Sequence, residues 1–213
     1  MPLTSNPLIE MTGIIILAAG SSSRLGKPKQ NLIFSGQTLL QRTIHTALRI
    51  NCGPVIVVLG GNANLIKPAL GNFEVDIIFN ADWQEGISSS IRTGIQHLEK
   101  KHPQANSAVL MLCDQPYVDE NILQKLIAAG KQETIVASGY NETTGPPAFF
   151  GRYYFPELLA LKGNEGAKHL MLKHKPDVTT IPFELGCVDI DTVEDFQRLT
   201  SKNLCEEMKQ SRR

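Results

Sequence analysis

GIIILAAGSSSRLGKPKQ, residues 13–30, holds the transition that decides the fold: a run of branched apolar residues breaks at once into glycine, serine and basic residues. Residues 13–18 (GIIILA) are apolar at consecutive positions, so they predict a strand buried on both faces, as in a parallel sheet. In the loop that follows, Gly20 and Gly26 allow backbone turns that other residues resist. Successive backbone N–H groups in such a loop make a nest for anions. Arg24 can fork two donors onto phosphate oxygens, and Lys29 can place a point charge on them. The rival phosphate loops fail on spacing. A GxxxxGK loop with Ser or Thr next is absent, because Gly20 and Gly26 lie one residue too far apart and Pro28 follows Lys27; GxGxxG is absent as well.

Outward from this loop the alternation continues. Residues 38–50 carry apolar positions at helical spacing, with Thr38 as N-cap. Residues 55–59 (VIVVL) and 75–79 (VDIIF) predict two further buried strands, and 87–101 a helix opened by three serines. Residues 108–113 (AVLMLC) predict a fourth buried strand, 120–129 a helix and 134–138 a fifth strand. Strands of this kind, alternating with helices, predict an α/β fold: a Rossmann-like three-layer domain with a mostly parallel sheet. Ligands then bind beyond the carboxyl ends of the strands, at the loops after Ala18, Leu59, Phe79 and Cys113. After Ser138 the pattern loosens. Residues 139–150 (GYNETTGPPAFF) predict a turn-rich connection into an apolar stretch. Helices follow at 153–161 and 165–174, a strand pair at 178–182 and 187–190, and a last helix from Val193. No linker marks a second unit, so residues 1–213 predict one domain, with 1–12 and 203–213 flexible or peripheral.

The totals agree with this class. The chain has 213 residues, 42% hydrophobic and 20% charged, enough for one ordinary core. Lys and Arg number 21 and Asp and Glu 21, a balance that argues against a nucleic-acid partner, which needs a basic surface. It leaves room for a small anion held by a few local cations. MPLTSNPLIEMTG lacks the basic and long apolar regions of a signal peptide, and the apolar runs at 14–19 and 55–59 are too short to span a bilayer. A cytoplasmic protein with no membrane partner is expected. The four cysteines form no CxxC pair and predict free thiols. The five histidines show no metal spacing with a nearby acid.

Several polar residues stand where strands end. Asp114 closes AVLMLC at the carboxyl edge, either in a site or capping the turn at Gln115-Pro116. Asp189 and Asp191 alternate in VDIDTVEDF (residues 188–196), so on a strand they share a face. Asp191 also suits the start of the last helix, with Glu194 as capping-box partner. Ser88, Ser89 and Ser90 lie at a helix start, where free N–H groups and the dipole favour anions, and one of them suits an N-cap. Asn80 can bond a base or ribose, or serve a turn.

LAAGxSxRxGxxK after a first strand resembles the signature of the small nucleotidyltransferases, whose sheet is of the nucleotide-diphospho-sugar-transferase type. The form LAAGSSSRLGKPKQ is most similar to the molybdenum-cofactor cytidylyltransferase branch and its MobA-like relatives. Residues 80–95 (NADWQEGISSSIRTGI), 110–118 (LMLCDQPYV), 163–170 (GNEGAKHL) and 188–196 resemble further blocks of that family, in order. The resemblance implies transfer of CMP from CTP to the phosphate of a molybdopterin-type cofactor, with release of pyrophosphate. It implies Mg²⁺ held by Asp114 with Asp189 or Asp191. Leu17, Ala18, Ala19, Gly20, Ser21 and Gly26 would form the nucleotide site. Asn80, Ser88 and Ser89 would join them, and Arg24 and Lys29 would hold the triphosphate and the leaving pyrophosphate. Guanine-using relatives tend to read LAGG, so the Ala19 methyl favours the smaller pyrimidine. A molybdenum oxidoreductase client is a further implied partner. The acceptor side departs from the family pattern: Pro146 replaces a histidine, Asn164 an aspartate and Lys168 an arginine, and lysine cannot reproduce a bidentate fork. A sugar phosphate or other phosphorylated metabolite is the alternative acceptor, and a non-catalytic carrier of the molybdenum cofactor the alternative of another class.

Overall fold

The computed structural model describes residues 11–22 and 25–200. The first strand, β1 (Met11–Ala18), begins two residues before the predicted start. Thr12 is buried there and its hydroxyl pairs with Ser107 Oγ at 2.8 Å, so the prediction of a peripheral segment to residue 12 is corrected at Met11 and Thr12. A two-strand hairpin of β2 (Ile33–Phe34) and β3 (Gln37–Thr38) follows the loop. Next come α1 (Leu39–Ile50), β4 (Val55–Leu59), α2 (Ala63–Ile66), β5 (Asp76–Phe79), α3 (Ile87–Lys101), β6 (Ala105–Leu112) and α4 (Glu120–Ala129). The chain then forms β7 (Ile135–Tyr140), β8 (Thr143–Gly151), α5 (Phe155–Ala160), α6 (Ala167–Lys173) and β9 (Val178–Pro182), and is helical again from Val193.

One seven-stranded sheet in the order β5-β4-β1-β6-β8-β7-β9 carries the fold. β1 pairs in parallel with β4 and β6, and β4 with β5; β8 runs antiparallel between β6 and β7, and β9 is parallel to β7. The fold is thus a Rossmann-like three-layer arrangement with a mostly parallel sheet. Alternation along β1 divides the core: Ile14 and Ile16 pack under α1 and α4, while Ile15 and Leu17 pack under α3, α5 and α6. Thr38 caps α1 through a full capping box, its hydroxyl accepting from the Gln41 amide at 3.1 Å while the Gln41 side chain returns to the Thr38 amide.

Three segments differ from the sequence prediction. Residues 139–150 are the β7–β8 hairpin and not a mere connection; Asn141 and Glu142 take positive φ at its tip, and Pro146-Pro147 conceals a strand, since proline normally argues against one. β5 is one of the two edge strands, so it alternates between half-buried and exposed, with Phe79 61% exposed. Residues 188–191 form no strand; they follow a 3-10 turn at Glu184–Cys187.

From β1 the chain moves to β4 and β5, then crosses back to β6 on the other side of β1. The connections leaving β1 and β6 therefore diverge, and the crevice between them is where ligands bind in such sheets. Among the described residues no helix is long and apolar enough to cross a membrane.

Candidate active site

The loop after β1 is held open from beneath. Gln30 is fully buried, and its Nε2 donates to the carbonyls of Ala18 at 2.8 Å and Gly20 at 3.1 Å. Ser22, at φ 54°, accepts the Lys29 amide on its hydroxyl at 3.0 Å, and Gly26 takes φ 65°. These bonds deliver Lys29 in a 3-10 turn, Lys29–Asn31, with its ammonium directed across the crevice. Arg24 lies outside the described residues. Gln30 was not singled out in the sequence, although a polar residue that closes an otherwise basic loop is a signal for such an anchor. Gln30→Ala removes both bonds from a buried position, a loss of about 1–3 kcal/mol of stability. Urea unfolding should show that loss, and a nucleotide titration should show binding about tenfold weaker.

Two distant carboxylates meet Lys29. Its Nζ donates to Asp114 Oδ2 and, at 3.1 Å, to Asp191 Oδ1. The residues are 85 and 162 positions away in the chain. A small apolar cluster gathers them: Leu25, Leu32 and Phe34 from the loop and hairpin and Leu39 from the start of α1, with Ile190 and Leu199. Ile190 is fully buried between the two aspartates and donates its amide to the Asp114 carbonyl at 3.0 Å. Asp191 is not the capping residue of the last helix. Thr192 and Asp195 cap it reciprocally, at 3.1 Å from the Asp195 amide to Thr192 Oγ1 and 2.9 Å from the Thr192 amide to Asp195 Oδ2, so Glu194 is not the partner. Nor does Asp114 spend its carboxylate on its own turn.

The electrostatics follow from this crowding. Burial alone would push the Lys29 ammonium down, but the charge and hydrogen bond of Asp114 outweigh it and hold the group well above its ordinary value. Asp114 Oδ1 is buried and finds no hydrogen-bond partner among the described residues. Burial, then the charges of Asp114 and Asp191, raise the Asp189 carboxyl. Asp189, Asp114 and Asp191 thus share one negative neighbourhood, but they do not close on one another as a ligand cage: among the described residues only Asp76, His97 and His102 do so. An uncompensated carboxylate oxygen and an all-oxygen donor set suit a hard divalent cation, which takes one or two carboxylates and completes its shell with phosphates and water. A group whose folded pKa is raised adds stability below its unfolded value and loses it as pH rises through the folded value. Asp189→Asn, which removes the charge, should therefore raise the thermal midpoint of the metal-free protein by a few degrees at neutral pH. The gain should shrink as pH falls through the folded-state value and vanish only in strongly acid buffer, below the ordinary Asp value of about 3.9, where Asp189 is protonated in both states.

A cavity of about 390 Å³ opens beside these groups, within the range of small-ligand sites. Leu17, Ala18, Ala19, Gly20, Ser21, Lys29 and Asp114 line it. Its far wall is Trp83, Gln84, Gly86, Ile87, Ser90 and Asn164; the sequence drew attention to Ser90 and Asn164 but not to Trp83, Gln84 or Ile87. Gly86, at φ 122°, is the residue before α3, and a Cβ on it would meet the Gly163 carbonyl at 2.3 Å, so only glycine lets residues 163–164 approach. The expected ligands Ser88 and Ser89 stand behind this wall, both buried inside the first turn of α3. Ser88 Oγ donates to the Gly163 carbonyl at 2.7 Å and Ser89 Oγ to the Gly86 carbonyl at 2.8 Å, and none of the three serines is the N-cap. Asn80 is buried too; its Nδ2 donates to Ser89 and Ser90 at 2.8 and 3.0 Å, and its Oδ1 accepts the Asp82 amide. Asn80 and Ser89 thus set the wall, and Gly26 shapes the loop without lining the cavity.

A cation clamped between acids at the switch point of a mostly parallel sheet, beside a loop that lines a cavity, suits a nucleotide-binding site. Residues 14–178 match the MobA-like NTP transferase domain, and the chain belongs to this family of nucleotidyltransferases. It is similar to nicotine blue oxidoreductase of Paenarthrobacter nicotinovorans, at 28% identity over 200 residues, which cover 89% of this chain and 96% of that one. It is similar to the molybdenum cofactor cytidylyltransferase of Escherichia coli (strain K12), at 25% identity over 183 residues, 85% and 92% of the two chains. Among solved structures, the complex of Rv0371c from Mycobacterium tuberculosis H37Rv with manganese shares 30% identity at a TM-score of 0.75, covering 89% of this chain and 97% of that one.

Proposed function

We propose that the protein is a Mg²⁺-dependent cytidylyltransferase of the cytoplasm, joining CMP from CTP to the phosphate of a molybdopterin-type cofactor. The observation that carries this reading is the Lys29 ammonium shared by Asp114 and Asp191 at the cavity edge, with Asp114 Oδ1 left unpaired among the described residues. An acceptor phosphate oxygen forms a bond to the α-phosphorus of CTP, the bond to the β-phosphate bridge breaks, and pyrophosphate carries the electron pair away. The acceptor oxygen is already anionic, so no protein base has to act. Asp114, with Asp189 or Asp191, would hold the Mg²⁺, which when bound neutralises the phosphates. Lys29 remains an ammonium throughout and stabilises charge on the departing pyrophosphate. Cys113 lies in the cavity wall, but burial and then the Asp114 charge push its thiol up to about 12, so it stays protonated and does not serve as a covalent nucleophile. The base preference rests on Ala19, which lines the cavity together with Trp83. Its methyl narrows the space beside the base, which favours a single ring.

A second reading concerns the acceptor alone. Where the family pattern has histidine, Pro146 offers only a carbonyl, and Gln115 Nε2 already donates to it at 3.0 Å; Asn164 stands in the cavity wall without an aspartate's charge. These features support a sugar phosphate or another phosphorylated metabolite as acceptor. Pyrophosphate release with Mg²⁺ separates the readings when CTP, GTP, ATP and UTP are each paired with molybdenum-loaded molybdopterin and with a panel of sugar phosphates. Release with CTP and molybdopterin alone supports the first reading. Release with CTP and a sugar phosphate alone supports the second. No release with any pair overturns both and points to a carrier. A control for oxidoreductase turnover of nicotine blue tests the chemistry named for the relative from P. nicotinovorans.

A further inference from the structure

Asp76 opens β5, an edge strand, at the end of the sheet away from the cavity. α3 starts at the cavity wall and runs for 15 residues, which at 1.5 Å each carries its far end about 22 Å away. His97 lies on the last turn but one. His102 is the C-cap residue: its amide still bonds the Leu98 carbonyl at 2.9 Å, but its φ of −130° and ψ of 63° have left the helix. That departure swings the ring back beside His97. Both imidazoles then meet one oxygen, with His97 Nε2 at 2.8 Å and His102 Nε2 at 2.9 Å from Asp76 Oδ2. A spacing of five residues would not bring two side chains together on an unbroken helix, and Asp76 is supplied from another element, which is why the sequence shows no metal pattern here.

We propose that Asp76, His97 and His102 bind a divalent transition-metal ion of the zinc type, at a site separate from the nucleotide cavity. The three ligand atoms already lie within 4.8 Å of one another. In a tetrahedral zinc site, bonds of about 2.0–2.2 Å place ligand atoms roughly 3.3 Å apart, so an outward shift of about half an ångström opens the position. Two imidazoles and one carboxylate are the donor set of Zn²⁺, Co²⁺ and Ni²⁺, whereas Mg²⁺ takes oxygen. The side chains are 28%, 23% and 33% exposed for His97, His102 and Asp76, so the fourth position faces water. Burial alone would raise the Asp76 carboxyl, but the hydrogen bonds from His102 and His97 hold it below its ordinary value, leaving the oxygen ionised and ready to ligate. The ion ties the sheet edge to the end of α3, where hydrogen bonds alone now do so.

Calorimetric titration of chelator-stripped full-length protein with ZnCl₂, in millimolar Mg²⁺ to occupy the oxygen site, tests this directly. We expect one equivalent of Zn²⁺ at micromolar affinity or tighter, weakened at least tenfold in His97→Gln and in His102→Gln. The thermal midpoint should rise with Zn²⁺ in the wild type and not in the double variant. Co²⁺ should bind without a thiolate charge-transfer band. Nucleotide binding should be the same in wild type and variants, which keeps this result independent of the proposed reaction. Absence of saturable binding, Zn²⁺ affinity unchanged in the folded double variant, or a thiolate band would each overturn the site.

Discussion

Asp114→Asn and Lys29→Ala each lower the turnover of nucleotidyl transfer by about 10²–10³-fold, the cost of removing one preorganised group aimed at developing charge. The two act as a unit. Lys29 holds Asp114 by a direct ion pair and Asp191 at 3.1 Å, so either change leaves the other groups misplaced. The double variant should consequently lose far less than the product of the single losses. The two single changes differ in their effect on stability. Asp114→Asn keeps the Lys29–Asp191 pair and relieves crowding around Asp189. Lys29→Ala leaves three carboxylates facing one another without their cation, and it should lower the thermal midpoint at neutral pH more than Asp114→Asn does. Turnover at saturating CTP, read beside a thermal melt, checks both parts.

Ile190→Ala should cost about 2–4 kcal/mol of stability, as expected for truncating a fully buried branched side chain. It should also cost activity beyond that. Ile190 anchors the segment carrying Asp189 and Asp191 to the cluster that also contains Leu25 and Leu32, on either side of Lys29 in the chain. Loosening it lengthens the Lys29–Asp191 contact and weakens the Asp114 backbone link, so catalytic efficiency should fall about tenfold at a temperature where the variant remains folded. Leu126→Ala, equally buried but in the core under α4, is the comparison. It should lose similar stability in urea and little activity. Equal activity losses in both would mean that the cluster holds the fold and not the site.

The sheet was legible because its central strands are apolar on both faces. The sequence predicted β4, α3, α4 and β9 with their observed limits, and β1, α1 and β6 to within a few residues. β8 was hidden by its prolines, and the edge position of β5 depends on sheet order, which no local pattern records. The site divided in the same way. Lys29 and Asp114 stand at a loop and a strand end that the chain order itself points to. Ser88, Ser89 and Asn80 could not be assigned to a face, because a hydroxyl at a helix start serves a ligand or a neighbouring carbonyl with the same residue type. Here the carbonyls of Gly163 and Gly86 take the serines. Asp191 was tied to helix capping until Thr192 and Asp195 were seen to fill that role. Gln30 and the Asp76–His97–His102 cluster depend on contacts between elements far apart in sequence.

The central claim is that Lys29, Asp114 and Asp191 form a centre for a metal-bound triphosphate. The most direct test is the dissociation constant of CTP measured with and without Mg²⁺, in the wild type and in Asp114→Asn. The account predicts that Mg²⁺ tightens CTP binding at least tenfold in the wild type and has almost no effect in the variant. CTP binding that is indifferent to Mg²⁺, or that responds to it equally in both proteins, would contradict it.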